Sequence, residues 1–358
     1  MVNSMKKFLI LILGLSLTAA SCDLTTGAFD LGSGGVRGVL KSEDNGQTFH
    51  AADKLQLKGD ISGVTVNSMV FDQTNSEILY IASGNGIYKS EDGAKTWRYI
   101  LSGINASDLS LDPNQSNIIY AAGAVGQNGK IIKSLDGGTS WVDIYTEPSK
   151  NNPVLAIAVG SANSSLVVAG LGTGEIIRST DGGHTWQATK DLSDRIARIR
   201  FGSNMAYALT IRKGLYKSSD QGVTWNSVTS TLTSDLISTS GLAPANVTAF
   251  YDLALDRRQS GVLYLGTEQG LFRTGNDGSS WSYISLPVKN ASLRVSAVAV
   301  NPTNSNNLFV TVAATVFKSL NGGVTWETKV LPTQAEVRVI LINPQTNNLI
   351  YLGLGGSR

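Results

Sequence analysis

The eight residues Ser134-Leu135-Asp136-Gly137-Gly138-Thr139-Ser140-Trp141 spell a pattern that recurs along most of the chain. We call this pattern, Ser/Thr-x-Asp/Asn-x-Gly-x-Thr/Ser-aromatic, the box. Its seven copies are Ser42–Phe49, Ser90–Trp97, Ser134–Trp141, Ser179–Trp186, Ser218–Trp225, Thr274–Trp281 and Ser319–Trp326. Successive copies are 48, 44, 45, 39, 56 and 45 residues apart, and all six tryptophans of the chain end a box. This spacing indicates a protein built from repeats of about 45 residues.

Each box is predicted to form the tight turn of a β-hairpin. A strand-like run precedes it, as in Gly86-Ile87-Tyr88-Lys89, and a short run led by the aromatic residue follows. Asp or Asn accepts hydrogen bonds from the turn, Gly adopts positive φ, Ser or Thr caps the remaining donors, and the aromatic ring packs on the hairpin. The residues assigned to these turns are Ser42, Asp44, Gly46, Phe49, Ser90, Asp92, Trp97, Ser134, Asp136, Gly138, Trp141, Ser179, Asp181, Gly183, Trp186, Ser218, Asp220, Gly222, Trp225, Thr274, Asn276, Gly278, Trp281, Ser319, Asn321, Gly323 and Trp326.

The boxes resemble the Asp-box (BNR) repeat of sialidases, xyloglucanases, sortilin-type receptors and a photosystem II assembly factor. The resemblance covers almost all of the chain after residue 36 and implies a β-propeller. In those families the box is a structural turn that lies away from the binding face. The resemblance therefore implies a fold, and it leaves the function open between enzymes and binding proteins.

Each repeat contains a first strand that ends near Asp or Asn, a second strand, and the hairpin of the box, which is typical of a four-stranded propeller blade. The chain opens with a third strand, Val36–Lys41, and closes with a first and a second strand, Val337–Asn343 and Leu349–Leu354. We therefore predict an all-β, seven-bladed propeller at 36–358, with antiparallel blades. The C-terminal first and second strands are expected to pair with the N-terminal third and fourth strands, which closes the ring and removes its edges.

The N-terminal 35 residues are expected to serve export. Lys6 and Lys7 precede an apolar run, which predicts a signal peptide at 1–21 that starts at Met1 or Met5. Cys22 is the only cysteine and follows small residues, so we expect lipidation there, with 22–35 as a flexible tether. The alternative is an ordinary cleaved signal peptide with an incidental cysteine. Lipidation predicts a protein anchored to a membrane of the cell envelope, on the periplasmic or extracellular side.

Charge and composition limit the partners. Without Lys6 and Lys7, the formal net charge of +2 falls to zero, which argues against nucleic-acid binding because such binding requires a basic surface. With Cys22 lipidated, no cysteine remains for a disulfide. We expect a monomer with an unknown protein or glycan partner on the top face, the face at which the first strands begin.

Few residues fit known catalytic chemistry. The two histidines, His50 and His184, lie in or beside boxes, which disfavours a Ser-His-Asp triad and a histidine-ligated metal. No cofactor motif is present, and we predict no catalytic residue, cofactor or metal. A glycosidase with two carboxylates remains an alternative, with Asp108, Asp194, Asp252 and Glu336 as candidates. The sialidase Arg-Ile-Pro motif is absent, and the nearest match to the catalytic Asp-Ile/Val-Gly-Gly stretch of xyloglucanases, at Asp30, lies in the tether.

Charged residues at the first strands are the candidate ligand-binding site. These residues are Arg195, Arg198, Arg200, Asp252, Arg294 and Arg338. Alignment of strand ends places Arg198 and Asp252 at equivalent positions of adjacent blades, which predicts either a buried ion pair that holds register or part of a cationic mouth for an anionic partner. The longest connection, Ser227–Asn246, is either a bland insertion or a binding loop.

The sequence thus predicts a membrane-tethered propeller that acts as a non-catalytic binding or assembly scaffold. One alternative is a xyloglucanase- or sialidase-like glycoside hydrolase that uses carboxylates of the top face. A second alternative is a lectin that binds glycans without cleaving them.

Overall fold

The computed structural model describes residues 38–230, 232, 247–288 and 293–356. The predicted signal peptide, Cys22 and the tether lie outside the described residues, as does most of the Ser227–Asn246 connection. The described residues are strands, turns and irregular segments, and none of them forms a helix long and apolar enough to cross a membrane.

The described part of the chain forms 28 strands. The first fourteen are β1 (Gly38–Ser42), β2 (His50–Ala51), β3 (Val66–Phe71), β4 (Leu79–Ser83), β5 (Gly86–Ser90), β6 (Arg98–Ser102), β7 (Asn105–Leu111), β8 (Ile119–Val125), β9 (Asn128–Ser134), β10 (Val142–Lys150), β11 (Val154–Val159), β12 (Val167–Leu171), β13 (Glu175–Ser179) and β14 (Gln187–Asp191). The others are β15 (Ile196–Phe201), β16 (Ala206–Thr210), β17 (Leu215–Ser218), β18 (Asn226–Ser227), β19 (Phe250–Leu255), β20 (Leu263–Thr267), β21 (Gly270–Thr274), β22 (Ser282–Ile284), β23 (Val295–Asn301), β24 (Asn304–Val312), β25 (Thr315–Ser319), β26 (Glu327–Val330), β27 (Glu336–Ile342) and β28 (Ile350–Gly355).

These strands form seven four-stranded antiparallel sheets, the blades. Blades 1 to 6 are β3–β6, β7–β10, β11–β14, β15–β18, β19–β22 and β23–β26, and blade 7 contains β27, β28, β1 and β2. The first strand of each blade contacts the first strands of both neighbouring blades, so that β3, β7, β11, β15, β19, β23 and β27 form a closed ring. We call these the inner strands. The prediction of a seven-bladed propeller is confirmed.

Blade 7 closes the ring as predicted. Strand β1 pairs antiparallel with β28, where Gly38 lies opposite Leu354 and Ser42 lies opposite Ile350. The resulting strand order, β2-β1-β28-β27, joins the N-terminal third and fourth strands to the C-terminal first and second strands. Both β1 and β28 therefore lie inside a sheet instead of exposing an unpaired edge.

The core lies between the blades. Seven clusters of buried apolar side chains are present among the described residues, and each cluster combines side chains from two neighbouring blades. Between blades 7 and 1, for example, Tyr351 packs with Val66, Met69 and Phe71. Because every sheet is covered by apolar side chains on both faces, removing one blade would expose two apolar surfaces.

The box turns have the predicted hydrogen bonds. In the third box, Ser134 Oγ accepts a bond from the Gly138 amide at 2.8 Å and donates to Asp136 Oδ1 at 2.9 Å. The Asp136 carboxylate also accepts bonds from the amide of Ser140 at 2.8 Å and from its hydroxyl at 2.6 Å. Equivalent bonds from the first and third box positions recur in all seven boxes.

The fifth box position adopts a left-handed backbone in every repeat. Gly138 has φ = 90°, and the second box places Ala94 in the same region at φ = 65°. Glycine occupies this region without strain, whereas a side chain there costs about 1–2 kcal/mol. Ala94 is fully buried, and burial of its methyl group opposes that cost.

The boxes also join adjacent blades. The indole of Trp97 in blade 1 is fully buried and donates to the carbonyl of Ala52 in blade 7 at 2.7 Å. The hydroxyl of Tyr351 in blade 7 donates in turn to the carbonyl of Gly93, in the same box as Trp97, at 3.2 Å. The box is therefore both a hairpin turn and a contact between blades.

Candidate functional site

The inner strands surround a central channel with a cavity of ≈ 570 Å³ that is lined by residues of all seven blades. Each inner strand contains a β-bulge at the same level, so the irregularity is a property of the repeat. The residues that follow the bulge are Ser68, Asp108, Ala156, Arg198, Asp252, Ala297 and Val339. Only blades 2, 4 and 5 thus carry a charge at this level.

The structure brings Arg198 and Asp252 together in a buried ion pair. Arg198 Nε lies 3.3 Å from Asp252 Oδ1, and each side chain is about a tenth exposed at most, at 8% and 11%. The other carboxylate oxygen of Asp252 accepts a hydrogen bond from the Val298 amide of blade 6 at 2.9 Å. The carboxylate therefore links blades 4, 5 and 6, which corresponds to the register-holding interpretation of this pair.

Asp108 makes a similar bridge in blade 2. Its Oδ2 accepts a bond from the Ile157 amide of blade 3 at 3.2 Å and lies 3.6 Å from Arg200 Nη1 of blade 4. The Asp108 side chain is almost fully buried, whereas the Arg200 side chain is 36% exposed. Arg200 thus contacts a carboxylate two blades away and keeps part of its guanidinium in the channel.

Arg294 and Arg338 lie nearer the top face and have partners there. Arg294 Nη2 is 3.1 Å from Glu336 Oε1, and its guanidinium carbon is 4.2 Å from the centre of the Tyr251 ring. Arg338 donates to the Gly356 carbonyl and to Asn67 Oδ1, both at 2.9 Å. These contacts hold both arginines in place across blades 5, 6, 7 and 1.

Arg195 differs from the other predicted arginines. It lies just before β15 on the top face and is exposed, and among the described residues no carboxylate lies within ion-pair distance of it. Its backbone carbonyl accepts a bond from the Ile211 amide at 3.1 Å, which fixes the position of the main chain. Its guanidinium therefore remains available to a partner.

The four carboxylates considered for glycosidase chemistry are all engaged. Asp108 and Asp252 form the bridges between blades, and Glu336 pairs with Arg294. Asp194 Oδ2 accepts bonds from the amides of Arg212 at 2.6 Å and Lys213 at 2.9 Å, which caps a turn. A sugar hydroxyl or water would have to displace one of these bonds in order to reach the carboxylate oxygens that they occupy.

The described residues contain no group of three or more His, Cys, Asp and Glu side chains arranged to hold a metal ion. His184 contacts its own box through Nδ1, which lies 2.5 Å from the Asp181 carbonyl oxygen. The side chains of the boxes form the hydrogen bonds of hairpin turns, at the positions where the sequence placed these turns.

One channel residue, Arg257, was missed by the sequence analysis. It follows the inner strand of blade 5 by two residues and lines the cavity at its bottom end, where the inner strands end. The signal was present in the sequence, because the equivalent residues of the other blades are uncharged. They are Gln73, Pro113, Ser161, Ser203, Pro302 and Pro344.

Comparisons with known proteins identify two groups of similar propellers. No family model matches the chain. The chain is 24% identical over 265 residues to the xyloglucanase Xgh74A of Acetivibrio thermocellus, covering 69% of this chain and 28% of that protein. It is 25% identical over 138 residues to the photosystem II assembly lipoprotein Ycf48 of a Synechococcus strain, covering 36% of this chain and 38% of that protein. The chain thus spans less than a third of the length of the xyloglucanase.

Solved structures agree on the fold. The GH74 enzyme of Niastella koreensis superposes with a TM-score of 0.65 at 21% identity, over 85% of this chain and 53% of the enzyme. Ycf48 bound to a D1 peptide superposes with a TM-score of 0.61 at 16% identity, over 82% of this chain and 94% of that protein. At these identities, the similarity shows a shared propeller architecture.

Proposed function

We propose that this protein is a non-catalytic binding or assembly scaffold that holds an acidic segment of a protein partner on its top face. The observation that carries the proposal is Arg195, an exposed guanidinium without a carboxylate partner in the described structure, on the same face as Arg294 and Arg338. Guanidinium groups bind carboxylates through two parallel hydrogen bonds, so an acidic segment suits this surface.

The similarity to Ycf48 supports a protein partner. One relative is described as an assembly lipoprotein, and the superposed Ycf48 structure contains a bound peptide. The superposition covers 94% of that peptide-bound chain, so nearly every part of it has a structural counterpart here. We extend peptide binding to the present protein as part of the proposal.

The alternative is a glycoside hydrolase, which the 24–25% identity to curated xyloglucanases favours. The engagement of Asp108 and Asp252 counts against it. Each carboxylate is buried between a backbone amide and a guanidinium, whereas a general acid or base must reach the substrate directly or through one water. We therefore place the hydrolase second, and a lectin third.

The proposal includes the N-terminal features that the sequence predicts. We propose that the boxes belong to the Asp-box repeat, that residues 1–21 direct export, and that Cys22 is lipidated. The propeller would then be a monomer anchored in the cell envelope with its top face open to a partner. Residues 22–35 are proposed to connect the lipidated cysteine to the propeller as a tether.

Site-specific cross-linking in the native envelope tests the proposal. A photoreactive residue placed at Arg195 is compared with one at Lys190, an exposed cation on the outer strand β14. We expect a discrete protein adduct from position 195 that is absent from position 190. Equal labelling at both positions would contradict a top-face partner.

Glycan turnover separates the scaffold from the hydrolase. The purified full chain is incubated with xyloglucan, β-glucans and sialosides, and released reducing ends and free sialate are measured against a heat-inactivated control. Turnover above the control that is lost in Asp108→Asn or Asp252→Asn would overturn the non-catalytic proposal.

A further inference from the structure

The bottom end of the channel is lined by seven residues from equivalent positions of the blades. These residues are Gln73, Pro113, Ser161, Ser203, Arg257, Pro302 and Pro344. Arg257 is the charged member of this set, and the others are proline, serine or glutamine, which are uncharged. A charge present in one blade is not required by the repeat, because six blades fold without it.

Arg200 is the corresponding exception three residue positions earlier in the repeat. The residues at its level in the other inner strands are Val70, Ser110, Ala158, Ala254, Ala299 and Leu341, and all seven lie opposite an aromatic residue or valine of the second strand. Arg200 belongs to blade 4 and Arg257 belongs to blade 5. Two cations from adjacent blades therefore line the same cavity.

The two cations differ in their ion pairs. Arg200 lies 3.6 Å from Asp108, which already accepts a bond from the Ile157 amide. Among the described residues, Arg257 has no carboxylate within ion-pair distance. The neighbouring Asp256 is buried and turns Oδ1 toward its own loop, where it accepts bonds from the amides of Arg258 and Gln259.

Arg257 is exposed, and it lines the same channel as Arg200. Desolvation, and to a smaller extent the charge of Arg200, lower the pKa of Arg257. Like charges that are partly removed from water repel each other more strongly than they do in bulk solvent. An anion placed between them would replace that repulsion with attraction.

We propose that Arg257 and Arg200 form a binding site for the oxyanion of a small molecule, a carboxylate or a phosphate, at the bottom of the channel. Guanidinium groups hold both kinds of oxyanion through paired hydrogen bonds. Ser203, Asn204 and Ser260 line the same cavity and offer hydroxyl and amide donors. A cavity of ≈ 570 Å³ lies in the size range of small-molecule sites.

This site is separate from the proposed partner surface. Arg195 precedes an inner strand and Arg257 follows one, so the length of an inner strand, six residues in β15 and β19, lies between the two levels. At about 3.3 Å per residue, that distance is about 20 Å. The oxyanion site therefore does not depend on the proposed function.

Thermal unfolding of the full chain in inorganic phosphate or citrate, at an ionic strength matched with chloride, tests the site. A ligand that binds the folded state raises the melting temperature as its concentration exceeds the dissociation constant. The variants are Arg257→Gln, Arg257→Lys and the control Arg258→Gln, which removes the same charge from the next residue, where the guanidinium donates to the Thr303 carbonyl.

We expect phosphate or citrate to stabilise the wild type and Arg258→Gln. Arg257→Gln should weaken binding of the anion at least about tenfold, and Arg257→Lys should bind with an affinity between those of the wild type and Arg257→Gln. The anion that raises the melting temperature of the wild type more is the preferred oxyanion. Without added oxyanion, we expect Arg257→Gln to melt at or above the wild-type temperature, because it removes a repulsion. Equal stabilisation of all variants, or stabilisation of none, would overturn the proposal.

Discussion

The box turns and the inner strands occupy equivalent positions in every blade, but they differ in how closely their sequences repeat. The boxes preserve their serine or threonine and their Asp or Asn in all seven copies, together with the hydrogen bonds that these side chains make. The inner strands preserve a bulge, yet charges at that level occur in only three blades. The residues that repeat in every box maintain the ring. The charged residues that occur in only some inner strands indicate where this protein differs from a generic propeller.

The first way to test this comparison is within the boxes. Trp97 is fully buried and donates to blade 7, whereas Trp326 is partly exposed and donates to the Ser285 carbonyl at 3.0 Å. We expect Trp97→Ala to lower the free energy of unfolding by about 3–5 kcal/mol, and Trp326→Ala by about 1 kcal/mol. Denaturant unfolding measures both, and equal losses would show that burial does not set the importance of a box.

The second test concerns the buried pair. Asp252→Ala leaves the Arg198 guanidinium and the Val298 amide without their partner, so we expect a loss of about 3 kcal/mol in the free energy of unfolding. The double variant Arg198→Met/Asp252→Leu should lose less than Asp252→Ala does, because no buried charge remains. The exposed Arg195→Gln is the control, with an expected change within about 0.5 kcal/mol. A stable Asp252→Ala protein would argue that the pair serves binding instead.

A third test uses the left-handed position of the box. Gly138→Ala would place a methyl group 2.5 Å from Ile100 Cδ1 on a backbone with φ = 90°. We expect a loss of about 1–2 kcal/mol in the free energy of unfolding. Gly84→Ala is the matched control, since its added methyl group would lie 3.8 Å from its nearest neighbour, Asn105 Oδ1. A loss at Gly84 as large as the loss at Gly138 would contradict the explanation from backbone strain.

The smallest expected effect is a pH dependence of the boxes. Hydrogen bonds from the Ser140 hydroxyl and amide lower the pKa of Asp136 from 3.8 to about 2. A carboxyl group whose pKa is lower in the folded state stabilises the fold above about pH 4, and this contribution is lost as the pH falls toward 2. Asp136→Asn should therefore flatten the decline of stability between pH 4 and 2.

The reverse substitution is the matched control. The sixth box already contains Asn276, whose Nδ2 donates to Ser280 Oγ at 2.9 Å. Asn276→Asp should make the acid-induced decline of stability steeper, because it adds a carboxyl group that accepts the same turn bonds. Melting temperatures across this pH range give both slopes, and identical slopes in all three proteins would contradict the assigned role of the box carboxylates.

The fold could be predicted because its information is local. In each box the capping serine or threonine, the Asp or Asn and the following amides lie within four residues of each other, so the turn is readable without knowledge of the rest of the chain. Ring closure could be predicted because the incomplete repeats at the two ends complement each other. The Arg198–Asp252 pair followed from strand alignment, since both residues occupy the same level of adjacent blades.

The channel was harder to predict because its contacts are not local. Arg200 reaches Asp108 two blades away, and the sequence separates these residues by two full repeats. Arg294 stacks on Tyr251, which lies at the β-bulge between Phe250 and Asp252, and the sequence pattern did not predict that bulge. Arg257 lies in the turn after β19, outside the boxes and the strands from which the sequence analysis drew its candidates. Comparing each turn position across all seven repeats would have identified it.

The pairing of β1 with β28 also has a kinetic consequence. This sheet joins segments from opposite ends of the described chain, whereas the six other blades each fold from one continuous stretch. Bringing such distant segments together carries the largest loop-closure entropy of any contact in the ring, and contacts between distant segments form slowly. We expect the six continuous blades to assemble first and blade 7 to form last. Until then, β1 remains a free strand edge, and a second nascent chain that supplies β28 would yield a strand-exchanged dimer.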